Sequence, residues 1–264
     1  MTVYFDNSAT TRVCDEAAAA VMKMMTEEYG NPSSTHTLGR HAKAALDEAR
    51  KNVANAIGAL PEEVFFTSGG TEADNWALIS AAELMRHRGR HVITTAVEHD
   101  AVLKTAAKLE KIGYEVSYIG TDDAGRIDMQ AFKAALRDDT VLVSAMLVNN
   151  ETGAVNDIAA ISRELRMRRS AALLHTDAVQ AFCKIPFTVK SLGADLVTLS
   201  SHKIHGPKGI GALYVKKGLR LPPLLLGGGQ ERGYRSGTEG LPNIVGFGVA
   251  AKIGRELLPQ TEKN

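Results

Sequence analysis

Thr140-Val141-Leu142-Val143-Ser144-Ala145-Met146-Leu147-Val148 is an almost continuous apolar run. Such a run fits a strand buried on both faces, as in a parallel sheet. Outward from it, short strand patterns and helical patterns alternate. Strands are expected at 62–67, 91–97, 114–119, 171–177, 195–200 and 211–215. Between them, helical spacing appears over 71–87, 101–112, 128–136 and 157–169. Residues 71–87 carry Ala73, Trp76, Ala77, Ile79, Ser80 and Leu84 at that spacing. This alternation predicts an α/β fold, a mostly parallel sheet with helices on both faces. Residues 1–60 read differently. They show few strand signals, a Gly-Asn-Pro-Ser-Ser turn at 30–34 and a helix over 36–57, and are expected to pack outside the main sheet. After Gly227-Gly228-Gly229 the chain reads as loop until a helix begins near Ile244.

Composition bounds the function. In 264 residues, 44% are hydrophobic and 23% charged, which excludes disorder and collagen-like repeats. The formal net charge of +1 predicts no nucleic-acid partner. Two cysteines, Cys14 and Cys183, suit a reducing compartment rather than a disulfide framework. The start, Met-Thr-Val-Tyr-Phe-Asp, has no signal-peptide pattern, and no apolar run reaches the ~18 residues of a membrane helix. A cytoplasmic protein without a membrane partner is the expectation.

In an open α/β sheet, ligands bind beyond the carboxyl ends of the strands. Ser68-Gly69-Gly70-Thr71-Glu72 follows the first strand at a helix start. Its glycines and helix N–H groups make a phosphate cradle, or merely a tight turn capped by Thr71. Glu98-His99-Asp100, Asn149-Asn150-Glu151, Asp177 with Gln180, and Ser201-His202-Lys203 follow four other strands. A lysine, an acid able to hold a pyridinium N–H, a ring to stack and a phosphate cradle are the parts of a pyridoxal-phosphate site. His202 and His205 are three apart, but no Cys-x-x-Cys or His-Glu-x-x-His pattern occurs, so no metal is expected. Without a Gly-x-Ser-x-Gly elbow, a serine hydrolase is weaker still.

Residues 200–215, Ser-Ser-His-Lys-Ile-His-Gly-Pro-Lys-Gly-Ile-Gly-Ala-Leu-Tyr-Val, resemble the lysine segment of the cysteine desulfurases. These are pyridoxal 5′-phosphate enzymes of the class V aminotransferase group, with the aspartate-aminotransferase type of large domain. Landmarks similar to that family's occur in order at 4–11, 30–36, 66–75, 98–99, 149–153, 175–180 and 235–238. The Ser-Ser-His-Lys form and residues 227–238 resemble the branch that serves general and nitrogenase iron–sulfur assembly. The resemblance implies that Lys203 binds the cofactor covalently and moves the α-proton. It implies that His99 stacks on the ring and shuttles protons, Asp177 holds the ring nitrogen, and Gln180 bonds the phenolic oxygen. Gly70, Thr71, Ser200 and His202 would cradle the phosphate, and Asn150 would touch the substrate carboxylate region. Thr238 would reach the phosphate of a second subunit, which implies a homodimer. L-cysteine as substrate, L-alanine as product and an iron–sulfur scaffold or other protein as sulfur acceptor follow from the same resemblance.

The implied division is an arm at 1–15 associated with the small domain, a cofactor domain at 16–250 and the start of a linker helix at 251–264. Family members carry further sequence that completes the small domain, including a mobile loop with the nucleophilic cysteine and an arginine that grips the substrate. Neither Cys14 nor Cys183 matches that cysteine, so sulfur transfer is expected to be impaired. Cys183 is expected in a short helix or turn behind a strand end, in a small apolar role. Arg232 and Arg235 remain as carboxylate partners. A class V aminotransferase or lyase acting on another amino acid, and a non-catalytic cofactor-binding protein, are the alternatives.

Overall fold

The computed structural model describes residues 3–261. Residues 1–2 of the expected arm and 262–264 of the expected linker helix lie outside the described residues. Seven strands form one sheet: β1 (Val64–Thr67), β2 (His91–Thr95), β3 (Glu115–Ile119), β4 (Thr140–Ser144), β5 (Leu173–Asp177), β6 (Leu196–Ser200) and β7 (Gly211–Val215). Their spatial order is β1-β7-β6-β5-β4-β2-β3. Neighbours from β3 to β6 are parallel, while β7 runs antiparallel to both β6 and β1. The sheet is therefore mostly parallel, and every strand except β7 points its C-terminal end to one edge.

The helices are α1 (Asp15–Thr26), α2 (Thr37–Ala56), α3 (Gly70–Met85), α4 (Asp100–Lys111), α5 (Met129–Ala135), α6 (Ile158–Met167), α7 (Val189–Leu192) and α8 (Leu241–Thr261). They cover both faces. Strand side chains alternate between two cores, as the period of two requires. Val64 and Phe66 enter one core and Phe65 the other; Ile93 and Val92 divide likewise. The first core is closed by α1, α2, α5, α6 and α8, the second by α3 and α4. Of the apolar run at 140–148, only Thr140–Ser144 is strand; Ala145, Met146 and Leu147 stay buried beyond its end, and Val148 makes a single antiparallel bridge to Val155.

The N-terminal sixty residues contribute no strand among those described, but they are not peripheral. Ala42, Leu46, Ala49 and Val53 of α2 are core residues packed with α8 and the sheet. At Gly248 of α8, a Cβ would meet Ala49 Cα at 2.5 Å, so only glycine permits this helix contact. Helix α1 was not expected from the sequence; it packs on α8 through Ala17 and Met24.

A buried ion pair ties the long loop after β7 to the start of the sheet. Arg50 of α2 donates to Glu231 through its two terminal guanidinium nitrogens, at 2.6 and 2.7 Å, and also to the Val64 carbonyl at 2.9 Å. Glu231 accepts a further bond from the Phe66 N–H at 2.9 Å. The side chains of Arg50 and Glu231 are 8% and 2% exposed. Removing one partner strands the other charge in the interior. Arg50→Ala is expected to lower stability by about 3–5 kcal/mol, measured as a fall in the urea midpoint at unchanged slope; a loss typical of an exposed ion pair contradicts this.

Candidate active site

A cavity of about 400 Å³ opens at the C-terminal edge of the sheet. Nine of the ten residues expected at the cofactor site line it. Gly70 and Thr71 lie in the first turn of α3, directly after β1. His99 follows β2, Asn150 follows β4, and Asp177 and Gln180 follow β5. Ser200 ends β6, and His202 and Lys203 occupy the 3₁₀ turn Ser201–Lys203 behind it. The tenth, Thr238, does not join them. It is exposed and lines a separate cavity with Ser68, Gly209 and Arg235. Glu151, read with Asn150 after the same strand, also lines the main cavity, as do Asp6, Ser8 and Ala9 near the N-terminus and Asp74 of α3, which strand-end reading missed.

The arm is stitched to the lysine turn. Thr11 donates through its N–H and its hydroxyl to the His202 carbonyl, both at 2.9 Å, and the Thr11 hydroxyl accepts from His205 N–H at 2.8 Å. This places two arm carbonyls against the Lys203 amine, which donates to Ala9 O at 2.9 Å and to Ser8 O. Gln180 donates to Ser8 O at 2.9 Å. Residues 8–11 thus bond directly to the turns that follow β5 and β6. Burial lowers the Lys203 amine from the usual lysine range, against the upward pull of Asp177, Asp6 and Glu151. Such a lowered amine is a better nucleophile.

His99 caps α4. Its Nδ1 accepts the Ala101 N–H at 3.1 Å, which puts the neutral ring's proton on Nε2. In the same cavity, Asp177 Oδ1 accepts the Val179 N–H at 2.8 Å. Burial raises the Asp177 carboxyl, while His99 and Lys203 pull it down. Glu98 is buried with Oε1 bonded to the Thr95 hydroxyl and the Met146 N–H, and burial raises it to about 8.

The arginines expected as carboxylate partners are committed elsewhere. Arg235 forms a two-pronged pair with Glu72 at 2.8 and 3.0 Å. Arg232 bonds the Val64 carbonyl at 2.9 Å and lies 4.3 Å over the Phe65 ring. Neither lines the main cavity. His202 and His205 also diverge: His202 Nδ1 meets Thr10 Oγ1 at 3.2 Å, and His205 Nδ1 meets the Arg12 carbonyl at 3.0 Å. Cys183 sits in a turn at φ +55°, its Sγ 3.8 Å from the Ala251 carbonyl, and burial pushes its thiol up to about 12.

Residues 3–259 match the family described as Aminotransferase class-V. The chain belongs to that family. It is 46% identical over 261 residues to the cysteine desulfurase IscS of Methanosarcina thermophila, an alignment covering 99% of this chain and 64% of the relative. A solved NifS-like protein superposes with a TM-score of 0.96 at 43% identity, over 98% of this chain and 71% of that one. A second, SspA in complex with cysteine, gives 0.91 at 39% identity, over 95% and 72%. The class V chain therefore spans less than two thirds of the IscS it matches.

The family's cofactor is pyridoxal 5′-phosphate, and the donors suit it. A Cβ at Gly70 would lie 3.0 Å from Val179 Cγ2, so glycine keeps the cradle side of the cavity open. An amine, a buried carboxyl and helix N–H groups stand around one space of the right order of size.

Glu98 makes the cofactor-free protein pH-dependent. A carboxyl raised on folding binds more protons in the folded state, so stability falls as pH rises from the free glutamate range near ~4.3 toward about 8. Thermal melts should show this decline, and Glu98→Gln should flatten part of it; an unchanged profile in the variant contradicts the assignment.

Proposed function

We propose that this chain is the cofactor domain of a pyridoxal-phosphate-dependent cysteine desulfurase. It would take L-cysteine to L-alanine and pass the sulfur to an iron–sulfur scaffold or another acceptor protein, as a homodimer. The observation that carries the reading is the convergence of Lys203, Asp177 and His99 with the Gly70–Thr71 helix turn on one cavity. The cysteine named with the SspA structure supports the substrate class. When bound, pyridoxal phosphate supplies an electron sink for bonds at the substrate α-carbon.

The chain's own residues would do the rest. Lys203 would hold the cofactor covalently and move a proton at the α-carbon. Asp177 would face the ring nitrogen, its charge favouring the protonated form. His99, pinned by its capping bond, would lie over the ring with Nε2–H free to exchange a proton. Gly70, Thr71, Ser200 and His202 would receive the phosphate at the positive end of α3. Gln180 and Asn150 would meet the ring oxygen and the substrate. Thr238, exposed on the other side of the cradle, would serve a second copy's phosphate.

Borohydride treatment of the pyridoxal-phosphate-loaded chain is expected to fix a label on the Lys203 peptide, absent in Lys203→Ala. A label on Lys208 sinks the assignment. Asp177→Asn should weaken cofactor binding by about 10–100-fold, the worth of a charged hydrogen bond at 1.5–3 kcal/mol. Sulfide with alanine, rather than amino transfer to an oxo acid, is the product pattern expected of turnover.

The sulfur step makes a separate prediction. Cys183 is a protonated thiol facing α8 and does not line the cavity. Purified 264-residue chain given cysteine should form little persulfide on Cys183, by mass spectrometry. Rapid persulfide that disappears in Cys183→Ser or Cys14→Ser would show a relocated nucleophile.

A further inference from the structure

Beneath the main cavity, α3 sets a second acid against the ends of β5 and β6. Asp74 is 1% exposed, lines the cavity, and its Oδ1 has no hydrogen-bond partner. His175 and Asp177 are two apart on β5 and so share one face of the sheet. His175 Nε2 lies 3.6 Å from Asp74 Oδ1, beyond hydrogen-bonding range. That imidazole is fully buried and already engaged: Nδ1 meets Ser144 Oγ at 2.8 Å and Nε2 meets Thr198 Oγ1 at 3.0 Å.

We propose that Asp74 and Asp177 form an acid pair holding one proton, which Asp74 keeps while Asp177 carries the charge that faces the ring nitrogen. This rests on the cofactor reading above. Asp74 is then a positioning residue, acting through Asp177.

The surroundings divide the two acids. The groups facing Asp74 are Asp177 and His175 on β5, the Thr198 hydroxyl on β6 and Glu98 after β2. None is a cation at neutral pH, because burial holds His175 neutral, lowered to about 3. Asp177 differs. It accepts a backbone N–H from Val179 and faces Lys203 and His99. Two carboxyls in one low-dielectric site do not both ionise, and the proton stays where the charge is least supported. Desolvation and the neighbouring carboxyls raise Asp74 well above the usual range. The pair then presents a single negative charge to the cavity, matched to a single ring N–H.

Difference infrared spectroscopy reads the proton directly, in cofactor-free and loaded protein. At neutral pH the spectrum should contain the carbonyl stretch of a protonated carboxyl that Asp74→Asn removes. Glu98→Gln, which deletes the other neutral acid, should retain that band. Absence of the band in Glu98→Gln overturns the proposal even where Asp74→Asn does not fold. In absorbance titrations with pyridoxal phosphate, Asp74→Asn should change affinity by less than about threefold, because a neutral amide replaces a neutral acid. A loss beyond about tenfold, or 1.4 kcal/mol, shows that Asp74 is ionised and also overturns it. A wild-type chain that takes up no pyridoxal phosphate would refute the cofactor reading, while the cofactor-free infrared result still decides the acid pair.

Discussion

Asp74 and Asp177 line one cavity and Glu98 is buried at the end of β2 beside it, and among the described residues no lysine or arginine forms an ion pair with any of the three carboxyls. That is an expensive arrangement unless the acids are neutral or a positive group sits above them. The rest of the site follows from it. Lys203 and His99 stand across the cavity from Asp177, and their pull lowers a carboxyl that burial otherwise raises. The parallel strands bring two of the acids there, since β2 and β5 end at the same edge, and α3 adds Asp74.

The fold was legible where one physical signal dominates. A strand buried on both faces is apolar at most positions, and Val141-Leu142-Val143 in the run from Thr140 shows that. Direction is another matter. Nothing in Gly-Ala-Leu-Tyr-Val at 211–215 separates antiparallel β7 from its parallel neighbours, because a strand buried on both faces has the same composition either way. Helix α1 was missed because its Ala17–Ala20 stretch carries no periodic contrast. At the site, His99, Asn150, Asp177 and Lys203 were readable as polar residues directly after apolar strands. Asp74 was not, because the periodic reading followed Ala73, Trp76 and Ala77 and passed over a charge among them. Its signal was present: a charged residue that burial leaves beside Ala73 in the core of α3. Ser8 and Ala9 gave none, since their place depends on the Thr11–His202 stitch, 191 residues apart in sequence.

Two ion pairs set the loop between β7 and α8. Arg50 holds Glu231 under the sheet edge, and Arg235 holds Glu72 in the first turn of α3. Glu72 also accepts the Ser68 N–H at 2.8 Å, so it fixes the cradle from one side and the loop from the other. Glu231 and Arg232 lie at φ +48° and +59°, a conformation non-glycine residues adopt at a cost, and the Arg50 and Val64 contacts hold them there. The arginines that looked available for substrate in the sequence are therefore structural struts. Arg235 is taken up by Glu72 in the first turn of α3, and Arg232 by the Val64 carbonyl and the Phe65 ring.

Charge around the cavity also governs how an amino acid would enter. The rim carries Asp6 and Glu151, and the floor carries the acid pair. An α-carboxylate arriving here meets negative groups on two sides, and Asn150, already donating to Glu151 at 2.7 Å, offers no charge. Lys203 is the one lysine or arginine lining the main cavity among the described residues, and it is committed to the cofactor in the proposed reading. A further cation, Lys184, donates to Gln180 at 2.9 Å. In the proposed reaction an ionised thiol at the substrate would face the same field, and like-charge repulsion from Asp6, Glu151 and Asp177 would favour its protonated form. A nucleophile that visits the cavity from a solvated position avoids that penalty, because its ionisation is settled in water before it enters. Cys183, behind the strand ends with its thiol near 12, has neither the charge nor the route.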